Sequence, residues 1–126
     1  MERSLSLLRV IAWLGIATII VLSIVPGTHR PHVLQAPKLE HLAAYFVAGA
    51  VLVVSFLERG RHILIGLCLT LLAGALEIVQ LSIPGRESKL SDWAVSSLGA
   101  WAGIGTVLLA VWACEHFARS HRRHPA

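Results

Sequence analysis

The sequence predicts an all-α integral membrane bundle of four transmembrane helices. Three observations carry that prediction. Hydrophobic residues make up 56% of the 126-residue chain and charged residues only 14%, against about 25% charged in a typical soluble domain. The apolar excess falls in four blocks, about 5–25, 39–57, 63–83 and 93–113. Each is long enough, at about 1.5 Å per residue, to cross a hydrocarbon layer about 30 Å thick. The third and fourth blocks also lack the polar face that a soluble bundle helix shows every 3.6 residues. The length fits a single domain, 1–126.

The first block follows Arg3 and contains Arg9, a charge pattern shared with signal peptides. The sequence after it, Pro26-Gly27-Thr28-His29-Arg30-Pro31-His32, offers no small-x-small cleavage site, so a retained helix is expected. Loop one, 26–37, contains Pro26, Pro31 and Pro37 and cannot be helical throughout. His29 and His32 lie there three apart, without carboxylate or thiol companions, and read as solvated loop residues. Glu58-Arg59-Gly60-Arg61-His62 is a tight turn, which makes spans two and three antiparallel neighbours. Cys68 and Cys114 lie in or at the end of spans, have no metal-type spacing and read as packing residues. Trp93 and Trp112 bracket the fourth span as interfacial anchors would. No metal and no cofactor is expected.

Orientation follows from Lys and Arg in the short loops. The N-terminus, loop two and the tail carry seven (Arg3, Arg9, Arg59, Arg61, Arg119, Arg122, Arg123); loops one and three carry four (Arg30, Lys38, Arg86, Lys89). Both termini are therefore expected in the cytoplasm, with loops 26–37 and 84–92 outside. The basic tail, 114–126, directly follows a span, so anionic lipid headgroups rather than nucleic acid are its expected contact. Ser23-Ile24-Val25-Pro26-Gly27 and Ser82-Ile83-Pro84-Gly85 echo one another, which would set the two outer loops side by side.

Three spans carry a polar or small-residue stripe at helical spacing. Span two aligns Lys38, His41, Tyr45 and Gly49; span three aligns Ala73, Glu77, Gln80 and Pro84; span four aligns Asp92, Ser96, Gly99, Gly103 and Thr106. The polar members gather at the outer end of every span. Glu77 lies six residues below Ile83, about 9 Å along the axis and within hydrocarbon. A charged side chain at the bilayer centre costs about 2.5–3.5 kcal/mol on insertion scales. Glu77 should thus be paired, hydrogen-bonded or protonated, with His41, Lys38, Arg86 and the Gln80 amide as candidate partners. Its alternative role is a buried polar contact that locks helices together. Asp92 reads equally as a site residue or as a first-turn acid favoured by the helix dipole. Arg86, in a Pro84-Gly85-Arg86 turn, reads as an anion ligand, a neutraliser of Glu77 or Asp92, or a loop arginine. Gly99 and Gly103 form a GxxxG face for close helix packing, within the chain or with a partner helix.

Taken in order, these residues resemble the VanZ-like family of small bacterial membrane proteins. The resemblance rests on Lys38, His41 and Tyr45, on Glu77 and Gln80, on Pro84-Gly85-Arg86, and on Asp92, Gly99 and Gly103, and covers about 37–103. Pro37 stands where the family often has Asp, and Ser96 where Asn is common, so Ser96 lacks an amide donor. The resemblance implies an envelope role; the family is named for a protein associated with low-level resistance to the glycopeptide antibiotic teicoplanin. It implies no reaction.

The expected function is therefore an outward-facing site for an anionic envelope component, lipid-linked or related to peptidoglycan. Its ligand-binding residues are Lys38, His41, Tyr45, Glu77, Gln80, Arg86, Asp92 and Ser96. Lys38 and Arg86 would hold phosphate or carboxylate, while Glu77, His41 and Asp92 would orient the ligand or move protons as candidate catalytic groups. No nucleophile motif or metal set accompanies them, so catalysis stays open. The alternative is a structural or accessory membrane subunit whose polar residues join helices. A proton-coupled transporter would need ionisable groups nearer the midplane, where the cytoplasmic half offers only Cys68 and Thr70.

Overall fold

The computed structural model describes residues 2–26, 37–57, 60–86 and 88–123. His29, Arg30, His32 and Arg59 lie outside them, and the side chains of Arg3, Arg122 and Arg123 are likewise not described. Four helices, α1 (Glu2–Ile24), α2 (Pro37–Phe56), α3 (His62–Gln80) and α4 (Leu90–Arg123), form the bundle. All four are long and apolar enough to cross a membrane. Their outer faces carry Leu71, Ile78, Leu98 and Leu109, each at least 66% exposed. Water would penalise such surface, whereas lipid would not.

Each boundary has a local cause. Pro37 begins α2 at the first helical position, where its missing N–H is not needed. Gly60, with φ 59°, turns the chain into α3. The span expected over 63–83 ends earlier, at Gln80. Beyond it the amides of Leu81, Ser82 and Ile83 reach back three residues, to the carbonyls of Ile78, Val79 and Gln80. Pro84 and Gly85 then occupy the middle of a turn closed by Arg86 N–H to Ile83 O at 3.2 Å. Gly85 has φ 75°, which fits the second central position of a type II turn. Glu77 consequently sits in the last turn of α3, about 5 Å from the helix end rather than about 9 Å. The fourth helix overruns its expected 93–113 at both ends and continues into the basic tail. No Pro or Gly interrupts the chain between Gly105 and Pro125, and Arg119 pairs with Glu115 at 3.0 Å, one turn away.

The most extensive packing joins α2 and α4, which run parallel. Small residues make it possible. A Cβ on Gly99 or Gly103 would collide with the carbonyls of Leu42 or Phe46, and one on Gly49 would stand 2.5 Å from Ala100 O. The Gly99–Gly103 face is thus filled by α2 of the same chain. Helix α3 meets α4 differently: the Trp101 ring lies over Gly66, and Trp93 lies beside Gly74. Both indoles turn to Thr70, Trp93 Nε1 donating to its carbonyl at 3.1 Å and Trp101 Nε1 to its hydroxyl at 3.2 Å. Trp93, expected as an interfacial anchor, therefore packs against a helix, while Trp112 is 64% exposed.

Helix α1 is peripheral, with only 11% of its apolar window buried. Two arginines fasten it. Arg9 Nε donates to Ser55 O near the end of α2 at 3.3 Å, with its guanidinium 5.2 Å above the Phe56 ring. At the opposite end, Arg86 donates to the carbonyls of Val25 and Leu22. Each guanidinium supplies donors to C-terminal carbonyls that lack helical partners. The Arg86–Val25 contact also sets the start of loop one beside loop three.

Candidate functional site

The polar stripes converge at the end of the bundle that holds loop three. His41 lies in the second turn of α2, Glu77 in the last turn of α3, and Asp92 in the first turn of α4. One ligand-type atom from each lies within 4.8 Å of the others. Glu77 is 8% exposed; His41 and Asp92 are half-buried and connect the cluster to the surface.

Each of the three side chains is held by a hydroxyl. Glu77 Oε2 accepts from Ser88 Oγ at 3.0 Å and from the Lys89 backbone N–H at 3.1 Å. Ser91 Oγ donates to Asp92 Oδ1 at 3.1 Å. Ser96 Oγ stands 3.4 Å from His41 Nδ1. The Ser96–His41 pair beside two carboxylates has the composition of a nucleophilic triad, but Ser96 is 2% exposed. So buried a hydroxyl is placed to orient the imidazole rather than to meet a substrate carbonyl or phosphorus.

Tyr45 and Gln80, each 3% exposed, lie beside this cluster along their own helices. Tyr45 is one turn deeper than His41 and within electrostatic reach of Glu77. Lys38 is exposed, one turn before His41. Arg86 directs two guanidinium nitrogens to α1. The expected set thus includes a core (His41, Glu77, Asp92, Ser96, flanked by Tyr45 and Gln80), an exposed Lys38 and an Arg86 that reaches Leu22 and Val25. Thr106, on the predicted stripe, is exposed and bonds its own helix at Ala102 O.

The principal partners of Glu77 were not among the candidates drawn from the sequence. Ser88 and the Lys89 amide lie in the loop, and no periodicity marks a loop donor. A serine just before a helix start is a recurrent capping residue, the one signal that could have singled out Ser88. The chain matches no protein-family model, curated protein or solved structure.

Proposed function

We propose that the chain is a VanZ-like multi-pass protein of the bacterial cytoplasmic membrane, with both termini cytoplasmic. In this reading its polar cluster faces outward, engages an anionic envelope component at the outer leaflet and contributes to teicoplanin tolerance. The observation that carries the reading is the convergence of His41, Glu77 and Asp92 from three helices within 4.8 Å. Ionisable residues placed within spans are costly and default to function. The ordered motif over 37–103 supports the family, and the Lys and Arg distribution supports the orientation. Lys38, exposed one turn before His41, is a cation available to a phosphate or carboxylate.

The test scores teicoplanin susceptibility in Glu77→Gln, His41→Gln and Asp92→Asn strains at equal membrane abundance. Altered susceptibility is expected in all three; unchanged susceptibility throughout sinks the reading.

One observation favours a second reading, an accessory subunit without a ligand. Glu77 ties α3 to the segment before α4 through two hydrogen bonds, as helix-joining polar residues would. Under it, Glu77→Gln lowers abundance or assembly, and susceptibility follows abundance alone.

A further inference from the structure

Two carboxylates and an imidazole make an awkward receptor for an anion. Glu77 and Asp92 present negative charge within 4.8 Å of one another, Glu77 is 8% exposed, and like charges in low dielectric oppose joint ionisation. A proton held on a carboxylate, an imidazolium at His41, a cationic side chain of loop three, or a cation bound by all three groups would each relieve this. The last neutralises both carboxylates and uses the imidazole lone pair.

We propose that His41, Glu77 and Asp92 are the ligands of a first-row divalent metal ion. The donors form a mixed set, one imidazole nitrogen and two carboxylates, which suits zinc, manganese or iron better than an all-oxygen calcium site. Three protein ligands leave coordination positions open for water or substrate, as in catalytic rather than structural metal sites. With metal–ligand bonds of about 2.0–2.2 Å, donors on one ion stand about 3–4 Å apart, so a spread of up to 4.8 Å closes with side-chain shifts under about 1 Å.

The supporting contacts match the demands of such a site. Metal ligands are oriented by hydrogen bonds from behind, and each of these has its own: Ser88 and the Lys89 amide for Glu77, Ser91 for Asp92, and Ser96 for His41. Three helices supply the ligands, one packed closely on another through Gly99 and Gly103, so the backbone positions are fixed. Sequence spacing gives no hint of this site because no two of its ligands share an element. An ion here would also supply the positive charge that an anionic head group needs. That part rests on the function proposed above; binding of the ion does not.

The experiment uses purified full-length protein with its affinity tag removed and metal stripped by chelation. Calorimetric titration with zinc chloride should give one ion per chain. Pulsed EPR of the manganese-loaded protein should show nitrogen coupling from one directly bound imidazole, and His41→Gln should abolish it. Asp92→Asn and Glu77→Gln should each weaken zinc binding by at least the 10–100-fold that loss of an outer ligand-supporting contact causes. Variants are compared only where helix content and dispersity match wild type; if Glu77→Gln fails this, the wild-type nitrogen signal and Asp92→Asn decide. The proposal is overturned if no stoichiometric ion binds, if bound manganese lacks nitrogen coupling, or if zinc affinity survives both His41→Gln and Asp92→Asn. Metal binding with unchanged teicoplanin susceptibility would remove the envelope reading alone, and the converse would remove the metal alone.

Discussion

The carboxylate of Glu77 accepts the backbone N–H of Lys89 at 3.1 Å, which joins the last turn of α3 to the residue immediately before α4. Lys89 O in turn accepts from Asp92 N–H at 2.8 Å, so the residue held by Glu77 also opens the helix that carries Asp92. A negative group at a helix N-terminus is favoured by the helix dipole. The two carboxylates of the cluster are therefore coupled through the backbone of loop three, and the loop is part of the site's architecture.

Removing the hydroxyl of Ser88 should loosen this join. A hydrogen bond to a charged group contributes about 1.5–3 kcal/mol, and Ser88→Ala should lower unfolding stability by an amount in that range or slightly below. Hydrogen exchange at the amides of Lys89 and Leu90 should accelerate in the same variant. Unchanged exchange there would mean that the Glu77–loop contact is not formed in the membrane.

The glycines of α4 should differ sharply in tolerance. Gly103→Val drives a side chain into the Phe46 carbonyl and should destabilise the α2–α4 pair by about 1–3 kcal/mol or more, the usual range for overpacking. Gly105→Val has open space and should be nearly neutral. Thermal unfolding of the two variants in the same detergent checks the contrast, which equal losses would refute.

Arg86 and Arg9 should act as fasteners of α1. Arg86→Ala leaves Leu22 and Val25 carbonyls without its donors and should increase hydrogen exchange at the end of α1. Arg86→Lys should restore this only in part, because an ammonium lacks the planar fork that reaches two carbonyls. Arg9→Ala should leave that end unchanged and affect the end of α2 near Ser55. If Arg86→Ala altered ligand response with α1 exchange untouched, the anion role expected from sequence would be favoured instead.

The spans were legible because length and hydropathy are properties of contiguous residues. The stripes were legible too: Tyr45, Gly49, Ala73, Glu77, Ser96, Gly99 and Gly103 are all buried, since helical periodicity fixes which residues share a face. What periodicity cannot carry is the partner across a gap. Thr70 as the acceptor for two indoles, Ser88 behind Glu77, and Val25 and Leu22 as acceptors for Arg86 all depend on how helices and loops pair in space. Helix ends were read less well than spans, because Ile83 is apolar enough to extend α3 although it is already the first residue of the turn made by Pro84 and Gly85.

The proposed orientation has its own check. In a background with Cys68 and Cys114 replaced by Ala, Ser82→Cys should react with an impermeant thiol reagent on intact cells. Gly60→Cys should react only after the membrane is opened. The reverse pattern would place the cluster at the cytoplasmic face and end the outer-leaflet reading.

The most direct measurement of the central claim concerns whether the side chains of the cluster meet. In the same cysteine-free background, His41→Cys and Asp92→Cys are combined in native membranes and treated with the shortest bifunctional methanethiosulfonate, and linked peptides are read by mass spectrometry. His41→Cys with Leu109→Cys serves as the distant control, Leu109 being 66% exposed on the outer face of α4. The account predicts rapid linkage of the 41–92 pair and none of the control. Absence of linkage in the 41–92 pair, with both thiols shown to be reactive singly, would contradict it.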